Sequence, residues 1–81
     1  MGLERQAIAL QKIQAERQRQ DHIHGIQSDK PDHMWSTILT VLNGNVAATV
    51  SEQNTEDLIV ELTQLAAVCV CWLEAIDERG Y

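Results

Sequence analysis

Three residues, Asp57, Glu61 and Gln64, combine chemical type and spacing in a way that suits site chemistry. They fall within TEDLIVELTQLAAVCVCWLEAIDER, residues 55–79. At 3.6 residues per turn they project in neighbouring directions, and Glu61 lies between Val68 and Trp72 on the greasy side of a helix. A carboxylate aimed into an apolar interface needs a partner, because its unpaired charge is costly to bury. One such partner is a divalent cation, with Glu61 as ligand, Gln64 as polar support and Asp57 as a weaker second ligand. The other is a hydrogen-bonded or paired position at a seam between helices. A single carboxylate rarely builds a magnesium site, so this segment alone favours the seam.

Other ligand-type residues are less well organised. His22, His24 and His33 accompany Asp21, Asp29 and Asp32, but their spacing matches neither a paired-histidine zinc helix nor a finger. They read as a solvated acidic loop. Asn45 suits a buried amide that sets helix register. Cys69 and Cys71 stand two apart on a helix, so they point different ways and read as small buried hydrophobes. Trp35 and Trp72 each coincide with an apolar stripe and read as pocket, core or interface anchors rather than base-stacking platforms. The chain has no glycine-rich phosphate loop, no CxxC pair and no recognisable nucleophile turn.

The elements that must position these groups are helical. Residues 3–20 consist of good helix formers, with Leu3, Ala7, Leu10 and Ile13 as a modest stripe. Residues 21–33 contain Gly25 and Pro31 and no period, which predicts an irregular link. In residues 34–50 two signals conflict. Asn43-Gly44 favours a hairpin turn, whereas Trp35, Ile38, Leu39, Leu42, Val46 and Val50 keep helical spacing. The spacing predicts a helix, bent or loosened at Gly44. In the third segment Leu58, Leu62, Leu65, Cys69, Trp72 and Ile76 form the expected buried face of a helix over 55–79. Asn54 is its N-cap with Asp57 at N3, and Gly80 its terminator.

Eighty-one residues predict one small helical domain, 1–81, with 44% hydrophobic content and no Phe. The run Leu65–Leu73 is apolar on both faces of its helix, which predicts a homo-oligomer, a dimer first, completing a four-helix-like bundle. Twelve acidic against six basic residues give a net charge of −6, unsuited to general nucleic-acid binding. The N-terminal residues show no secretory pattern, and a nine-residue apolar run is short for a bilayer. The expectation is a cytoplasmic protein with no membrane partner.

Several pieces together resemble the MazG-like branch of the all-α nucleoside triphosphate pyrophosphohydrolases. They are ERQRQD at Glu16–Asp21, HGIQ at His24–Gln27, WSTILT at Trp35–Thr40, GNVA at Gly44–Ala47 and ELTQLAAVCVCWLEA at Glu61–Ala75. The resemblance spans residues 16–78. It implies a MazG-like helical bundle completed by homo-oligomerisation, a nucleoside triphosphate substrate cleaved to monophosphate and pyrophosphate, and Mg2+ held by an EExxE and an ExxD pattern. Carried onto this chain, the first pattern falls on Val41, Leu42 and Asn45, with every carboxylate replaced. The second falls on Glu61, which matches, and Gln64, which does not. The resemblance therefore implies a pyrophosphohydrolase homologue of weak or no activity, requiring Mg2+ if active. The alternative is a non-catalytic helical module that contacts protein or senses nucleotide.

Overall fold

The computed structural model describes residues 2–25 and 29–80, and they form three α-helices: α1 (Gly2–His24), α2 (Asp32–Ser51) and α3 (Thr55–Glu78). Among the described residues there is no strand. α3 begins where the cap was expected. The Asn54 side-chain oxygen accepts from the Asp57 amide at 3.0 Å, and its amide group donates to the Asp57 carboxylate at 2.9 Å. This reciprocal pair occupies an orphan amide and places acidic Glu56 and Asp57 at the positive end of the helix. At the other end Gly80 adopts φ +89°, a conformation costly for residues with a Cβ.

α2 is helical through Asn43-Gly44, so no hairpin forms. The apolar period outweighs the local turn preference because it offers Trp35, Ile38, Leu39, Leu42 and Val46 to α3. All five are buried or half-buried. α1 runs further than expected and takes in Asp21–His24 before Gly25, at φ +72°, ends it by donating its amide to the Asp21 carbonyl at 2.8 Å. His22 and His24 thus belong to a helix end, where imidazole suits the negative pole, rather than to a loop. Ile26, Gln27 and Ser28, part of the expected link, lie outside the described residues.

Both outer helices pack on α3 and not on each other. α2 runs antiparallel to α3, since Asp32 at its start meets Trp72 and Arg79 near the α3 end. α1 runs parallel to α3: Arg17 meets Glu74, while Ile8 and Ile13 share a groove with Ile59 and Leu62. Ala67 and Ala75, both buried, let the backbones approach, and with Trp35 they are the buried apolar residues; Thr49 is buried too and donates its hydroxyl to the Val46 carbonyl at 2.7 Å.

The buried face of α3 is therefore rotated from the one expected. Leu58, Leu65, Trp72 and Ile76 are half-buried as expected, but Leu62 and Cys69 are exposed and Ala67 and Ala75 take their place. Cys71 is half-buried. Two apolar stripes with the same spacing run along α3; the second borders α1 through the groove at Ile59, Leu62 and Ala66 and stays largely exposed. By length and composition α3 is also long and apolar enough to cross a membrane, with mean hydropathy 1.7, although the nine-residue run alone is not.

Gly44 is the simplest place to test the continuity of α2. A Cβ there meets nothing within 4 Å, so only the helix propensity changes. Gly44→Ala is expected to stabilise the fold by about 1 kcal/mol, read as a higher urea midpoint at unchanged slope.

Candidate functional site

The residues singled out by sequence do not converge. Glu61 is half-buried on α3, and its Oε2 is enclosed without a hydrogen bond from any described residue. This orphaned oxygen is a group that a cation would suit. Asp57, four residues earlier, is exposed and committed to Asn54. Gln64 lies on the same helix and lines a cleft. Of the α2 positions, Leu42 faces that cleft, but Val41 is 59% exposed and Asn45 is exposed too. The buried amide expected at Asn45 does not form, because α2 meets α3 through Trp35, Ile38, Leu39, Leu42 and Val46, which turns 41 and 45 outward. Among the described residues no three His, Cys, Asp or Glu side chains are grouped to hold a metal ion. One donor fits a cation; the set around it does not.

The cleft occupies about 400 Å3 where the C-terminal half of α1, the N-terminal half of α2 and the middle of α3 face one another. Its apolar wall comes from Trp35, Ile38, Leu42 and Val68, and its polar wall from α1. Trp35 is 2% exposed and stacked on Trp72 at 6.5 Å between centroids, with 11° between the planes. Lys30 Nζ lies 4.6 Å from the Trp35 ring centroid, and Trp35 Nε1 donates to the Lys30 carbonyl at 3.0 Å. The indole is thus enclosed on its face and at its nitrogen, which leaves little ring surface for a ligand to stack on. Trp72 Nε1 donates to Asp32 Oδ1 at 2.9 Å, and Arg79 pairs with the same oxygen at 3.1 Å. The Trp72 donor, followed by Arg79, holds the Asp32 carboxyl below its ordinary range.

The polar wall is an ion-pair network of Glu16, Arg17, Arg19 and Asp21. Arg17 forks onto Glu74 at 2.7 and 3.1 Å and also pairs with Asp21, joining α1 to α3. Burial works against its charge, but the bonds to Glu74 and Asp21 outweigh burial and raise its pKa. Glu16 accepts two bonds from Arg19 at 2.7 Å and one from Gln20 at 3.1 Å. The Arg19 bonds pull its carboxyl down despite partial burial. The signal for these pairs was present in the sequence as opposite charges at i,i+3 and i,i+4, Glu16–Arg19 and Arg17–Asp21. The Arg17–Glu74 link, 57 residues apart, had no local signal. Cys71 also lines the cleft, and burial pushes its thiol up, away from reactive thiolate.

With its arginines already matched by carboxylates, the cleft is close to charge-balanced and has no unspent cationic surface from Arg17 or Arg19 to hold a triphosphate. Its groups instead lock three helices together.

Two outcomes test this. Trp35→Ala is expected to cost about 3–5 kcal/mol, since it deletes the enclosed ring and its stack, measured by urea unfolding. For Asp32 the folded pKa is depressed, so its contribution to stability is present above the unfolded carboxyl range and lost as pH falls through the folded value. Stability measured from pH 6 down to 2 should therefore fall less steeply in Asp32→Asn than in wild type.

No family model, curated protein or solved structure matches this chain.

Proposed function

We propose that this chain is a MazG-like helical protein in which nucleoside triphosphate pyrophosphohydrolysis is absent or weak, and that it works as a non-catalytic helical interaction module. The observation that carries the reading is the isolation of Glu61. Where the resemblance calls for five carboxylates stand Val41, Leu42, Asn45, Glu61 and Gln64, and the nearest acid along the helix caps α3. Hydrolysis of this class needs several divalent-cation ligands to place metal against phosphate and to lower the pKa of an attacking water. One carboxylate beside amides and alkyl groups supplies too little negative charge for that.

The enclosed Trp35 and the matched arginines favour an interaction role over nucleotide sensing. A sensor needs a free aromatic face or free cations for base and phosphate. Magnesium enters only as the conditional cofactor of residual hydrolysis, with Glu61 as its protein ligand.

The test is pyrophosphate release from the canonical ribo- and deoxyribonucleoside triphosphates with Mg2+ or Mn2+, wild type beside Glu61→Gln. No metal-dependent release above that variant's background is expected. Turnover abolished by Glu61→Gln, with helicity intact, would replace this reading by an enzyme with ligands outside the MazG pattern. A companion measurement concerns the orphaned oxygen. In EDTA, Glu61→Leu is expected to stabilise the chain by about 1 kcal/mol, because it removes an unsatisfied buried acceptor. A loss of stability would show that the carboxylate has a partner.

A further inference from the structure

Away from the cleft, α1 and α3 form a groove of about 410 Å3 to which α2 contributes no residue. Its α3 wall carries no charge: Ile59, Leu62 and Thr63 lie on one helix face over two turns. Thr63 asks for no partner there, because its hydroxyl donates to the Ile59 carbonyl at 2.6 Å. Ile8 faces them from α1. The apolar surface is open, with Ile8 54%, Ile59 45% and Leu62 46% exposed. An occupant must be apolar where it meets these residues.

The α1 wall adds charge. Arg5 and Lys12 both line the groove. Seven residues apart, they project from the same side of α1, about 10 Å from each other along its axis. The other cations are engaged: Arg17, Arg19 and Arg79 by carboxylates, and Lys30 over the Trp35 ring. Arg5 and Lys12 make no ion pair with a described residue, and no carboxylate lines the groove. In a chain of net charge −6, these two unmatched cations border the same apolar surface.

We infer that this groove docks an acidic amphipathic helix of a different protein. The partner places an apolar stripe against Ile8, Ile59 and Leu62, and two carboxylates seven positions apart on the flank that faces Arg5 and Lys12. The inference rests on the interaction role proposed above and names its partner and its surface. A helix suits the groove better than an extended peptide does. The walls are helix faces whose backbone groups are already paired, so a strand would bring unsatisfied amides and carbonyls onto an apolar surface, whereas a helix pairs its own. An acyl-chain carboxylate has a single charge and would leave one cation unmatched. A flat bilayer surface does not fill a concavity between two helices. A second copy is disfavoured by the sequence itself, since no two acidic residues of this chain stand seven apart.

Fluorescence anisotropy of the full chain with a labelled probe tests this. The probe is a blocked alanine–glutamine helix of about four turns, stapled on its outer face, with leucines along one stripe and two glutamates seven apart beside it. Saturable binding at micromolar chain is expected, weakening as salt rises. Replacing both glutamates of the probe by lysines should weaken binding roughly tenfold or more, and so should Arg5→Glu combined with Lys12→Glu. The lysine probe should then bind that double variant better than it binds wild type, a rescue that loss of fold cannot imitate. Leu62→Ser should also weaken binding roughly tenfold or more. Met34→Gln, at the end of the bundle where Asp32 meets Arg79, should leave it within about threefold. No saturable binding of the glutamate probe, equal binding of the lysine probe, or no rescue by the charge swap overturns the proposal. Tighter binding of dodecanoate through the same residues would make an acyl carboxylate the occupant and overturn it too. So would self-association abolished by Leu62→Ser, which would make the occupant a second copy. A silent probe with no pyrophosphate release removes this groove and leaves the interaction role; release lost in Glu61→Gln removes that role whatever the probe does.

Discussion

Two helices packed on a third without touching each other must draw all their tertiary stability from one shared surface. In this chain that surface is one side of α3, and the stacked pair Trp35–Trp72 is its anchor. The stack joins the start of α2 to the end of α3. Asp32 then reinforces the same corner by accepting from Trp72 and pairing with Arg79. On the other flank Arg17 ties α1 to α3 through Glu74. These contacts join helix ends more than helix middles; the middle of α3 is buried at Ala67, a small residue that allows close approach and buries little area.

That economy explains why the candidate site is not a catalytic one in the proposed reading. A metal-dependent hydrolase has to hold several carboxylates near one another, and their mutual repulsion is relieved only when the cation binds. Here the carboxylates are distributed as structural partners: Glu16 to Arg19, Asp21 and Glu74 to Arg17, Asp32 to Trp72 and Arg79, and Asp57 to Asn54. Each such commitment neutralises or occupies a ligand. Among the described residues Glu61 alone keeps an unsatisfied buried side-chain oxygen, and apolar Leu42 lies where the resemblance would have put a companion acid.

Local rules made part of this legible from the residues. The Asn54–Asp57 cap was readable because a short polar side chain and an acid three residues on have one common use before an apolar run. The continuity of α2 through Gly44 was readable because five apolar residues at helical spacing outweigh one unfavourable dipeptide. The end of α1 was not readable. Asp21–His24 has no apolar period, and Gly25, which stops the helix, looked like part of a longer link. The orientation of α3 was not readable either, for a physical reason. Its sequence has two apolar stripes with indistinguishable spacing, and the choice between them depends on where α1 and α2 dock. That choice left Leu62 and Cys69 outside and, with the docking of α2, turned Val41 and Asn45 outward.

The doubly apolar character of α3 and the small core are two sides of one constraint. A helix with apolar residues all round is stable in water only when both faces are covered, and a chain of 81 residues has only two other helices. Both gather around one cleft, and α1 only borders the second stripe. Spreading them to opposite sides of α3 would cover both stripes, but it would pull apart Trp35, Leu42, Gln64 and Arg17, which now meet around one cleft. Gathering them builds the cleft and leaves the second stripe bare. In this architecture the cleft is built at the expense of apolar cover elsewhere on α3, where Leu62 stays 46% and Leu73 66% exposed.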